Sequence, residues 1–144
     1  MSIRRIDTDD LKVAIAAEME YRRNPYCREV LAEGKYKGIQ FYILSLGVHP
    51  CAYVRYDYTR TPDIEDKITC HGGITFKESQ LLLPGGYKPG NILGWDYTHC
   101  GDFSGLYLDE TDPFWANGEK HTVDEMIQDC IDVIDQLLKF EEDE

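Results

Sequence analysis

Two short glycine-flanked stretches of this 144-residue chain carry the side chains best suited to chemistry. The first is Gly94-Trp95-Asp96-Tyr97-Thr98-His99-Cys100-Gly101-Asp102. It sets two carboxylates, one imidazole and one thiol within seven positions. The second is Cys70-His71-Gly72-Gly73-Ile74-Thr75-Phe76. Buried acids are costly unless paired or bound to something. An apolar strand that ends in Asp and His therefore delivers polar groups to its own end, where a pocket can form. His71, Asp96, His99 and Asp102 are the catalytic candidates. Imidazole and carboxylate together can bind a divalent metal such as zinc, iron or manganese. They can also run acid–base chemistry, because a carboxylate raises a neighbouring imidazole's pKa and fixes its tautomer. In the metal version His71, His99 and Asp96 hold the ion, and the remaining acid takes a proton from bound water. In the metal-free version Asp96 orients His99 as general base.

A second group could shape a ligand site. His49 sits on a tight turn, and Thr75 offers a hydroxyl. Gly72 and Gly73 can present backbone N–H groups to an anion. Trp95 offers a flat wall, although core packing is the commoner use of Trp. Each residue also has a plainer use. His71 could bond a carbonyl beside the glycine bend, Asp96 could satisfy loop amides, and Asp102 could cap a turn. Cys100 could be a small buried hydrophobe. There is no G-x-x-x-x-G-K-[ST], no G-x-G-x-x-G and no G-x-S-x-G in the chain.

The elements must bring the two stretches together. On a regular strand, residues i and i+3 point to opposite faces. Asp96, His99 and Asp102 converge only if the chain turns after Tyr97, which Thr98 and Gly101 permit. Upstream, Thr8 predicts a helix cap, with a stripe at Leu11, Ile15 and Met19. Asn24-Pro25 predicts a second helix containing Val30 and Leu31, stopped at Gly34. Residues 39–46 read as a central strand, turned at Gly47-Val48-His49-Pro50 into a second strand over 51–56. Residues 57–66 read as a surface loop. Lys67–His71 and Ile74–Phe76 read as short strands or one bent strand around the glycine pair. Residues 84–91 are turn chemistry throughout. They suit either a lid between the two walls or a long hairpin connection. Thr122-Val123-Asp124-Glu125 is a capping box before the last helix. That helix has a broad apolar face and an acid series, Asp124, Asp129, Asp132 and Asp135, read as solvated. The order predicts one α+β domain over 1–144, with helices packed on one face of a mainly antiparallel sheet.

Composition narrows the partners. With a net charge of −12, general binding to nucleic acid is not expected. A local basic patch would still suit one small anion. No apolar run approaches the roughly 20 residues that span a bilayer, so no membrane partner is expected. The start of the chain lacks the apolar core of a signal peptide. The five cysteines form no C-x-x-C pair, and reduced thiols in a cytoplasm fit them best.

The motif stretches resemble a family of small, uncharacterised proteins of bacterial and phage genomes. That family's pattern is roughly His-Gly-Gly-Leu-Thr followed by Gly-Phe-Asp-Cys-Ala-His-x-Gly-Asp. The matching residues here are His71-Gly72-Gly73-Ile74-Thr75 and Gly94 to Asp102. The strand His49-Pro50-Cys51-Ala52-Tyr53-Val54 is similar to the family's Gly-Tyr-Val strand. Trp95 stands where the family has Phe, and Tyr97-Thr98 where it has Cys-Ala, so the polar residues are spared. The resemblance implies a shared fold and site from the first central strand to the last helix, and no reaction.

Three functions fit these readings. One is a small hydrolase-like enzyme with a His/Asp site, with or without a divalent metal. Another is a module that binds a small, nucleotide-like ligand without turning it over. The third is an interaction protein whose acidic tail, Glu141-Glu142-Asp143-Glu144, meets a basic partner. The sequence leans toward the enzyme and leaves the oligomeric state open.

Overall fold

A computed structural model describes residues 3–20, 28–61, 63–97 and 120–142. These residues form an α+β fold: one antiparallel sheet of seven strands and one long helix. The strands are β1 (Arg4–Asp7), β2 (Leu11–Ile15), β3 (Glu29–Tyr36), β4 (Ile39–Ser45), β5 (Pro50–Arg55), β6 (Phe76–Leu83) and β7 (Gly86–Asp96). Their spatial order is β1-β2-β3-β4-β5-β7-β6. Between β5 and β6 lie a short 3₁₀ turn (Tyr58–Arg60) and a one-turn helix α1 (Ile64–Lys67). The long helix is α2 (Val123–Glu142).

The two helices expected near the start are corrected to strands. Leu11 and Ile15 are four apart, which is one helical turn but also two strand repeats. Val13, the β-branched residue between them, decides the period: Val13 and Ile15 are buried while Lys12 is exposed. Thr8 closes the β1–β2 turn instead of capping a helix, with Leu11 N donating to its Oγ1 at 3.1 Å. Val30, Leu31 and Gly34 belong to β3. Gly34 is there for close approach: a Cβ would stand 2.3 Å from Lys12 O and 2.9 Å from Val13 Cα on β2. Asn24-Pro25 lies outside the described residues.

The hairpin of residues 39–56 is present as read, with Phe41 opposite Val54 and Ser45 opposite Pro50. Residues 84–91 are not a lid. β7 starts at Gly86 and pairs with β6 from Leu83–Gly86 onward. Pro89 is tolerated because β5 pairs only with residues 92–96 of β7, so its missing N–H faces an unpaired edge. The strand expected from Lys67 is also absent: β6 begins at Phe76, and a turn precedes it, with Gly73 N donating to Cys70 O at 3.0 Å. Gly72 (φ 70°) and Gly73 (φ 81°) take the left-handed conformations that this bend requires.

The capping box holds: Glu125 N donates to Thr122 Oγ1 at 3.2 Å. Met126, Ile127, Cys130, Val133, Ile134 and Leu137 of α2 are buried in one cluster with Phe41, Ile43, Ala52, Val54, Leu93 and Trp95 of the sheet. Each large side chain buried there is worth about 1.5–3 kcal/mol. The acids of α2 are not simply solvated. Asp124 accepts from Arg4 at 3.0 Å, and Asp135 accepts from Tyr36 Oη and Lys37 Nζ at 3.0 and 3.1 Å. They tie the helix rims to β1 and the β3–β4 turn.

The sheet face away from this cluster has its own buried group: Tyr42, Leu44, Cys51, Tyr53, Leu81 and Ile92. Leu81 reaches it because the tip of the β6–β7 hairpin folds back over that face. There Arg28 Nη1 donates to Leu82 O at 3.1 Å and Lys88 Nζ to Tyr42 Oη at 2.7 Å. Among the described residues no helix is long and apolar enough to cross a membrane.

Candidate functional site

The end of β7 decides where the candidate side chains go. Strand alternation sends Trp95 and Tyr97 toward α2 and Asp96 to the opposite side. The ladder continues past the last paired residue, with Tyr97 N donating to Pro50 O at 3.2 Å and Thr75 N to Gly94 O at 3.0 Å. His71 and Asp96, expected as two walls of one site, therefore line separate clefts. His99 and Asp102 lie outside the described residues, as does Cys100. Among the described residues no group of three or more His, Cys, Asp or Glu is placed to hold a metal ion.

The cleft on the Asp96 side has a volume of about 230 Å³. His49, Thr75, Asp96 and Cys51 are among its polar edges, and Tyr53 and Phe76 are its aromatic walls; Trp95 contributes to its base while its indole faces α2. Four positions expected from the sequence meet here: His49, Thr75, Trp95 and Asp96. The β4–β5 turn brings in His49, with Leu46 N donating to His49 O at 3.0 Å. Thr75 Oγ1 is 3.4 Å from Asp96 Oδ2 and donates to it. Tyr53 and Phe76 meet edge to face, with ring centroids 5.1 Å apart. His49 Nδ1 is buried and has no hydrogen-bond partner. Burial lowers the His49 pKa, against the opposing pull of the Asp96 charge. The ring is therefore held neutral, with one nitrogen a donor and the other an acceptor. Burial pushes the Cys51 thiol up to about 12, so it is not an activated nucleophile at neutral pH.

The cleft on the helix side is built around Tyr97. Its hydroxyl accepts from Trp95 Nε1 at 3.0 Å and donates to Asp129 Oδ2 at 2.7 Å. Burial and the bond to Asp129 raise the Tyr97 pKa, so the phenol stays protonated. The His71 ring stacks on Tyr97 with centroids 4.7 Å apart, and His121 packs against both rings at 4.7 and 4.9 Å. His121 Nδ1 lies 3.3 Å from Glu125 Oε2. Gly72 and Gly73 form the turn that presents His71 and do not line either cleft. Tyr97, His121 and Asp129 were not singled out for this role from the sequence. A signal for His121 was present: it sits immediately before the capping box, four positions from Glu125.

No protein-family model, curated protein or solved structure matches the chain. The geometry of the two clefts is thus the ground for a functional reading. The helix-side cleft is a closed hydrogen-bond chain under three packed rings, which suits support of the sheet end. The Asp96-side cleft combines a carboxylate, a hydroxyl and a neutral imidazole with apolar walls, which suits recognition of a small polar ring.

Proposed function

We propose that this protein binds a small, planar, hydrogen-bonding ligand, of nucleobase type, in the cleft between the β4–β5 turn and the end of β7. The observation that carries this reading is His49 Nδ1, buried without a partner in a cleft that also presents Asp96 and the rings of Tyr53 and Phe76. An unpaired buried polar atom costs about 1–3 kcal/mol. A ligand that supplies the missing hydrogen bond recovers that cost. The aromatic walls favour a ring, and the Asp96 carboxylate favours one with N–H donors on its edge. A volume of about 230 Å³ limits the occupant to one base-sized molecule. The free thiols of Cys51, Cys70 and Cys130 fit a reducing, cytoplasmic setting. The motif resemblance to proteins of bacterial and phage genomes extends the reading to sequestration of a nucleotide-derived ligand.

A hydrolase is the second reading, favoured by the Asp96 charge acting on the His49 ring. In it, His49 takes the place first given to His99 as general base, and Asp96 orients it. Thermal-shift screening with free bases and nucleosides tests the binding reading. The expected result is stabilisation of the wild type that is lost in both His49→Ala and Asp96→Asn. Recovery of the ligand unchanged after long incubation separates binding from hydrolysis. If no base or nucleoside stabilises the wild type, the binding reading fails.

A further inference from the structure

A second, independent site lies on the same side of the sheet at β1–β3. It is a concavity of about 450 Å³, open to solvent, edged by Arg5, Lys12, Lys35 and Lys88 with the carboxylates of Asp7 and Glu33. Four cations thus stand against two carboxylates in a chain whose net charge is −12. Three cations outside the hollow are paired: Arg4 with Asp124, Lys37 with Asp135 and Lys77 with Glu65. Arg5, Lys12 and Lys35 have no ion pair within 4 Å among the described residues.

Lys12 and Lys35 are directly opposite each other on β2 and β3. Like charges in that position weaken a sheet, and both residues are exposed, so packing does not require them. Asp7 is the cross-strand neighbour of Lys12 on β1, and Gln40 that of Lys35 on β4. A local cost retained on an exposed surface points to use.

We infer that this face binds a compact polyphosphate group, seated between the Lys12–Lys35 pair with Arg5 and Lys88 at its rim. Three or four ammonium and guanidinium groups around one hollow match the several charges of a short phosphate chain. An extended nucleic acid matches it less well, because the strand would run off the patch onto a strongly acidic surface within about one Debye length, roughly 8 Å.

The test is calorimetric titration of the full chain with inorganic tripolyphosphate. The parallel arms are a nucleoside triphosphate and a single-stranded oligonucleotide of about 20 nucleotides. Wild type is expected to bind tripolyphosphate at about 50 mM salt and to lose at least about tenfold in affinity at about 300 mM. The Lys12→Gln/Lys35→Gln protein should lose about tenfold or more at low salt, while Lys120→Gln stays unchanged. The double variant should also unfold at the same temperature as wild type or higher, since a like-charge pair is removed. Equal affinity for tripolyphosphate and the nucleoside triphosphate places recognition in the phosphates alone, and tighter binding of the latter adds a contact from the base. The inference is overturned if wild type does not bind tripolyphosphate, if the folded double variant binds it unchanged, or if the oligonucleotide binds more tightly through the same lysines.

Discussion

At the scale of single residues, the sheet end is fastened by one buried phenol. Tyr97 accepts from the Trp95 indole and donates to Asp129, so strand, turn and helix share one hydroxyl. Tyr97→Phe removes both bonds and strands the indole N–H in the core. The expected loss is about 1.5–3 kcal/mol of unfolding free energy, read as a lower urea midpoint with unchanged slope. His49 makes a second prediction at this scale. Its folded-state pKa is lowered by burial from the model-compound value of 6.5. The unfolded chain therefore binds the proton more readily, and the stabilising contribution is present above the unfolded pKa and lost as pH falls through about 6.5. Urea midpoints should rise between pH 5.5 and 7.5 more steeply in wild type than in His49→Gln. Parallel profiles would count against a buried neutral His49.

At the scale of elements, the strongest test is Gly34. An added methyl would meet the β2 backbone at 2.3 Å, and backbone has no side-chain freedom to yield. Gly34→Ala should cost at least about 2 kcal/mol, whereas Thr122→Ala should cost only about 1 kcal/mol through its lost cap. Equilibrium denaturation of the two variants side by side checks that order. The sequence made the best-signalled elements readable. The central hairpin follows from its β-branched and aromatic run, and α2 from its capping box and four-residue stripe. The first strands are ambiguous in the sequence because a spacing of four satisfies both periods, and only Val13 breaks the tie. β7 is hidden by the glycines and proline of its first part, which the chain tolerates because β5 pairs only with residues 92–96 and leaves that part flanked by β6 alone. The site was legible in part. His49, Thr75, Trp95 and Asp96 do line one cleft, because the β4–β5 turn and the β7 terminus lie at the same end of the strands. Their separation from His71 was not readable, since it depends on strand alternation at a terminus whose exact position the sequence leaves open.

At the scale of the whole molecule, the sheet has two differently used faces. One is closed by α2 and carries the larger core. The other is partly covered by the tip of the β6–β7 hairpin and carries both proposed sites, the ring-binding cleft and the basic hollow. The measurement that tests the His49–Asp96 cleft most directly is heteronuclear NMR of the His49 and Phe76 rings during titration with adenine, guanine, cytosine and uracil. Saturable shifts of both groups are expected with at least one base, and their loss in Asp96→Asn. Unmoved His49 and Phe76 signals across all four titrations would contradict a ligand site there.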